Sequence, residues 1–222
     1  MDTALKRKMS PPLSLVTLAS MTPREHTVYI EDENIEKIDF DDSPDLVGVT
    51  VNVDTVYRAI EIASIYKSKG SKVIFGGIHA SAHAEEMTNY CDAVCVGEAE
   101  EVWSKILRDV QMNTLQKIYH NPVPTDLSLV PLPDWNYIKK HKYLYYNVIV
   151  ASRGCPFKCE FCYNSCDYVS GKYRNRPVKD IVEEIKQLNT RQVMFLDDNL
   201  IGNIRWVEEL LTQLSPMKLV WR

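Results

Sequence analysis

The sequence predicts an α/β protein: a doubly wound, Rossmann-like domain followed by part of a second β/α array. Three observations carry this expectation. Between residues 25 and 112 short apolar runs alternate with helical patterns; residues 113–144 hold Pro122, Pro124, Pro131 and Pro133 without sustained periodicity; and the alternation resumes from 145 to 222. Alternating strand and helix signals point to parallel sheets with helices packed against them. The expected organisation is a first domain over 1–112, an extended linker over 113–144 and a second unit over 145–222.

The expected strands of the first domain are HTVYIE, DLVGVTV, KVIFGG and DAVCVG in order. The helix from Thr55 places Val56, Ile60 and Ala63 on one face. The helix from Glu98 repeats Trp103, Ile106, Leu107 and Val110 at the i, i+3, i+4, i+7 spacing of an apolar stripe. In such sheets ligands sit at the carboxyl ends of the strands, here TVNVDT, GGIHASAH and GEAEE. In the second unit YNVIVAS reads as a strand and leads directly into a cysteine-rich loop. A helix with Val178, Ile181, Val182, Ile185 and Leu188 follows, then strand QVMFLD, a helix with Val207, Leu210, Leu211 and Leu214, and strand MKLVW.

A formal net charge of -4 with 25% charged residues gives no basic excess to attract nucleic acid. No apolar run approaches the roughly 20 residues that span a bilayer, which predicts a cytoplasmic protein with no membrane partner. Three of the six cysteines crowd into the loop, unlike the dispersed spacing of a secreted disulfide scaffold.

That loop, RGCPFKCEFCY, sets Cys155, Cys159 and Cys162 in a C-x3-C-x2-C array. Three thiolates leave one position of a four-ligand metal site unfilled. Cys166 extends the array to four, so a zinc site or a closed cluster is also arithmetically available, whereas Cys91 and Cys95 read as buried small residues. Arg153, Arg174 and Arg176 are available to tune a cluster or bind a carboxylate, but surface arginines are common and no role is assigned to them.

VIVASRGCPFKCEFCYNSC resembles the cluster loop of the radical S-adenosylmethionine (radical SAM) superfamily. The resemblance implies that Cys155, Cys159 and Cys162 bind a [4Fe-4S] cluster whose fourth iron takes S-adenosylmethionine. It also implies that Phe161 lies against the adenine, that Tyr163 shapes the same pocket, and that Asp197 or Asp198 of FLDDN holds the methionyl ammonium. An electron donor such as flavodoxin or ferredoxin and a small-molecule substrate follow from it.

The segments PPLSLVTLASMTP, DLVGVTVNVDTVYRA, VIFGGIHASAHAEE and DAVCVGEAEEVW, over about residues 10–112, resemble the cobalamin-binding domain that precedes the barrel in one radical SAM class. This implies cobalamin contacts from Thr50, Thr55, Gly76, Gly77, His79, Gly97 and Glu98. The D-x-H-x-x-G signature of histidine-ligated cobalamin domains is absent, so His79 is expected as a hydrogen-bonding loop residue and not a cobalt ligand. Two departures stand out: no strand precedes the PPL segment, and about three strands stand where a radical SAM barrel has six β/α units. The expectation is therefore the N-terminal half of a barrel, from a fragment or a split enzyme whose barrel a second chain completes. The competing expectation is a non-catalytic module, or degenerate remnant, that binds a cluster, zinc or cobalamin.

Overall fold

The computed structural model describes residues 8–166 and 172–222. After helix α1 (Leu13–Met21), the first half runs β1 (Leu46–Thr50), α2 (Val56–Ser68), β2 (Lys72–Gly76), α3 (Ile78–Ala82), α4 (Ala84–Met87), β3 (Ala93–Val96), α5 (Glu100–Gln111) and β4 (Ile118–His120). The four strands form one parallel sheet in the order β1-β2-β3-β4.

Strand periodicity explains why both faces are covered. Val73 and Phe75 of β2 point to the side where Ala59, Ile62, Ala63 and Tyr66 of α2 and Ala80 of α3 are buried. Ile74 points to the opposite side, against Ala93, Cys95, Ile106 and Tyr119. On that second side Trp103 Nε1 donates to Thr22 Oγ1 at 2.9 Å, tying α5 to the end of α1. The doubly wound expectation is met, although Val56 and Ile60 lie at the margin of the α2 stripe, not at its centre.

Two expectations fail here. HTVYIE forms no strand. It does not pair with β1, which is left as an edge of the sheet. Ile30 instead packs against the cluster of Val16, Trp135 and Val148. The expected linker is also not merely extended. Its residues 118–120 are β4, Tyr119 is buried with its hydroxyl donating to Asp109 at 2.7 Å, and Trp135 and Tyr143 are buried as well. Proline keeps this segment out of long helices, while its aromatic side chains dock it to the first sheet and α1.

The second half contains β5 (Val148–Ile149), β6 (Ser152–Arg153), β7 (Arg174–Asn175), α6 (Val178–Leu188), β8 (Gln192–Phe195), α7 (Ile204–Leu214) and β9 (Val220–Trp221). β5, β8 and β9 form a parallel sheet in the order β5-β8-β9, and β6 pairs antiparallel with β7. Ile149 and Val193 meet Ile181, Ile185, Leu210 and Leu214 of the two helices. Leu211, expected in that stripe, is 39% exposed. YNVIVAS is broken into β5 and β6 because the Asp197 carboxylate accepts the N–H groups of Ala151 and Ser152, turning the chain out of the sheet. No helix among the described residues is long and apolar enough to cross a membrane.

Where β1 and β2 end, Gly77 adopts φ 95°, and a Cβ there would stand 2.9 Å from the Val51 carbonyl oxygen and 3.0 Å from Thr50 Oγ1. Gly77→Ala is expected to cost about 1–3 kcal/mol, read as a lower denaturation midpoint, because a left-handed backbone and a backbone clash coincide.

Candidate functional site

The carboxyl ends of β1 and β2 open into a cavity of about 450 Å³ lined by Asn52, Val53, Asp54, Ile78, His79 and Ala82. Around it Val53 and Tyr57 are 79% and 83% exposed, an apolar rim at a sheet end. Thr50 is half-buried beside Gly77, and the His79 ring lies 4.7 Å from that of His83. Gly97 N–H donates to Ser81 Oγ at 2.9 Å, and Ser81 donates to the Gly77 carbonyl at 2.8 Å, which ties the ends of β2 and β3 together. Thr50, Gly76, Gly77, His79 and Gly97 therefore gather at the strand ends. Thr55 is occupied in its own turn, accepting the Asn52 N–H at 2.9 Å. This surface can seat a broad ligand with an apolar face and polar edges.

The cysteine loop leaves β6 through Gly154, whose φ is 79° and whose Cβ would stand 2.8 Å from the Lys172 carbonyl oxygen. Cys155, Cys162 and Cys166 are partly exposed, Cys159 is exposed, and all are free thiols. Local turns fix the run: Cys162 N–H donates to the Cys159 carbonyl, Ser165 N–H to that of Cys162, and Cys166 N–H to that of Tyr163, each at 3.0 Å. Asn199 Nδ2 lies 3.8 Å from Cys155 Sγ and offers a donor to its sulfur.

Phe161 is 93% exposed. The Tyr163 hydroxyl donates to Asp198 at 2.9 Å, and burial together with that carboxylate pushes its pKa up. The two aspartates of FLDDN therefore diverge. Asp197 is occupied by Ala151 and Ser152, and burial pushes its carboxyl up despite those bonds. Asp198 faces the cysteine loop.

Among the described residues no group of three His, Cys, Asp or Glu side chains closes on a point where one ion would sit. The donor set, the accessible thiols of Cys155, Cys159 and Cys162 with Cys166 likewise accessible beside them and an amide donor at Cys155, suits a polynuclear iron–sulfur cluster, whose cysteines each take a separate iron. Cys91 and Cys95 are a different population, buried in the first half with thiols pushed by burial up to about 11 and about 12.

The two arginines to which the sequence assigns no role join the two halves. Arg153 reaches Glu98 at 3.2 Å and Glu100 at 2.6 Å, while Arg174 reaches Glu98 at 2.7 Å. Thr125 N–H donates to Glu98 at 3.0 Å, and its carbonyl accepts from Arg174 at 2.7 Å. Glu98, expected at the rim of the first site, is thus committed to the base of the cysteine loop. Arginine identity alone carries no signal for this, since the partners lie 55 and 76 residues apart.

Burial pushes the Glu98 carboxyl up, but the Arg174 hydrogen bond and the charges of Arg153 and Arg174 outweigh it and hold it at about 2. A carboxyl depressed in the fold contributes stability that is complete above its unfolded value and lost as pH falls through its folded one. The stability difference between the wild type and Glu98→Gln in urea unfolding is expected to be level above about pH 5 and nearly gone at about pH 2.

The B12 binding domain family model matches residues 8–107, and the Radical SAM superfamily model matches residues 149–214. The chain is 31% identical over 194 residues to the bacteriochlorophyllide d C-8(2)-methyltransferase of Chlorobaculum tepidum, covering 84% of this chain and 43% of that protein. It is 29% identical over 175 residues to the anaerobic magnesium-protoporphyrin IX monomethyl ester cyclase of Rubrivivax gelatinosus, covering 65% of this chain and 31% of that one. In fold it is similar to the radical S-adenosylmethionine methyltransferase TsrM from Kitasatospora setae, solved with tryptophan substrate and a SAM analog, at a TM-score of 0.76 and 17% identity. That likeness covers 93% of this chain and 48% of TsrM. The chain thus spans less than half the length of each of these relatives.

Proposed function

The chain belongs to the cobalamin-binding class of radical SAM proteins, and on that premise we propose that it serves reductive cleavage of S-adenosylmethionine coupled to methyl transfer onto a small molecule. The observation that carries the proposal is the loop itself: the free, accessible thiols of Cys155, Cys159 and Cys162 on the stretch that follows β6, with Asp198 held by the Tyr163 hydroxyl of the same loop. When bound, a [4Fe-4S] cluster supplies the electron that cleaves the sulfonium, and cobalamin supplies a transferable methyl group.

The chain's own residues do the rest. Cys155, Cys159 and Cys162 hold the cluster through their thiolates, and Phe161 offers an open aromatic face to the adenine. Asp198 has the stronger claim to the methionyl ammonium, because a charged donor outcompetes the neutral Tyr163 hydroxyl that it now accepts. Asp197 has its acceptors filled and acts instead on the backbone of the loop's entry. Thr50, Gly76, Gly77, His79 and Gly97 line the cobalamin side.

We assign residues 1–112, extended by β4, to the cobalamin unit and 145–222 to the barrel portion. An electron donor of the flavodoxin or ferredoxin class and a cytoplasmic setting complete the proposal. The likeness to a cyclase supports radical cyclisation as the second reading of the chemistry.

Anaerobic reconstitution tests the proposal. The expected result is about four iron and four sulfide per chain, with a spectrum that changes when S-adenosylmethionine is added. Stoichiometric zinc and no such response would overturn it in favour of a structural metal module.

A further inference from the structure

β6 and β7 form a ladder of only two residue pairs, in which Arg153 stands directly opposite Arg174. Two cations facing each other across a ladder repel. Here their guanidinium groups converge on one carboxylate, Glu98, which Arg174 grips with both of its terminal nitrogens, at 2.9 and 2.7 Å. Glu100 takes the other arm of Arg153. Glu98 and Glu100 stand just beyond the carboxyl end of β3 and at the start of α5, next to Gly97 at the rim of the first site. Arg153 stands two positions before Cys155, and Arg174 closes the same loop from the other side.

We propose that Glu98 is the positioning residue that sets the distance between the two cofactor sites, clamping both strands at the neck of the cysteine loop to the cobalamin-facing end of β3 through Arg174 and Arg153. This rests on the functional reading given above. Methyl transfer with radical chemistry requires two cofactors to address one substrate, so a loose neck separates them without removing either. The salt bridges are partly shielded, with side-chain exposures of 17–26% for the arginines and 9–23% for the glutamates, so solvent screens them less than surface pairs.

The test uses the full chain and two variants, Glu98→Gln, which removes the charge, and Glu98→Asp, which keeps it with a shorter reach. In the cofactor-free protein, hydrogen exchange at the β6 and β7 amides is expected to rise about tenfold or more in Glu98→Gln and less in Glu98→Asp, with β1 to β3 protected as in the wild type. In protein loaded with cluster and cobalamin and reduced, both variants are expected to keep wild-type iron and cobalt content. The electron-spin coupling between the reduced cluster and cob(II)alamin is expected to show a broadened distance distribution in both, wider in Glu98→Gln. Unchanged exchange, or unchanged spin coupling despite raised exchange, would overturn the positioning role. Should Glu98→Gln fail to fold, Glu98→Asp decides by the same two measurements. A wild type that takes up neither cofactor would overturn the functional reading, and this role with it, a failure distinct from a normal wild type with indifferent variants.

Discussion

Cys155→Ala, Cys159→Ala and Cys162→Ala are each expected to lower reconstituted iron from about four per chain to less than about one. An iron corner without its thiolate opens to solvent, and a cubane held by two cysteines degrades. Cys166→Ala is the informative partner. It is expected to retain the full iron content if the loop provides three ligands, and to lose it if the fourth thiol closes the set. Cys91→Ala serves as the control, since that thiol is buried in the core of the first half just before β3, donating to the Met87 and Ala93 carbonyls at 3.3 and 3.1 Å. Colorimetric iron and sulfide, with the visible absorbance of the same samples, reads every case. Equal loss in all five variants would show that the effect is general unfolding and not ligation.

Glu184→Ala is expected to be the most destabilising single change in the second half, by about 3–5 kcal/mol in urea unfolding. Glu184 and Arg176 form an ion pair at 2.6 Å, with side-chain exposures of 3% and 11%. Arg176 also donates from its side chain to the Val150 carbonyl and from its backbone to that of Ala151. Truncating the glutamate leaves a charged guanidinium shut away from water with nothing to balance it. Burial already pushes the Glu184 carboxyl up, although Arg176 opposes that, which shows how poorly the surroundings hydrate a charge. Glu184→Gln keeps a hydrogen-bond acceptor and is expected to cost less. Replacing both residues by well-packed apolar ones is expected to be near neutral, since the desolvation penalty then disappears on both sides.

What the sequence disclosed follows the range of the forces involved. β1, β2 and β3 and helices α2, α5, α6 and α7 are legible because burial writes its period into neighbouring residues. HTVYIE carries the same local signal yet forms no strand, because strand formation needs a partner that no local pattern specifies. The YNVIVAS segment was equally opaque: its break at Ala151 and Ser152 is imposed by Asp197, some 45 residues onward. β4 was missed since three residues among polar neighbours give no period. In the candidate site, Phe161 is singled out only through the family resemblance, whereas the cysteines stand out by their spacing. Glu98, Arg153 and Arg174 do not, as an ion pair between distant residues depends on the fold having already brought them together. The distinction between Asp197 and Asp198, adjacent and chemically alike, is likewise made by the backbone around them.

The two-rung pairing of β6 with β7 has a consequence in polymer terms. It joins the two ends of the cysteine stretch by backbone pairing, so the closure entropy of a ring of about twenty residues, on the order of 2–3 kcal/mol, is met within the chain itself. The ladder thus takes over a part of loop closure that ligation alone supplies in a zinc finger, where binding and folding are one transition.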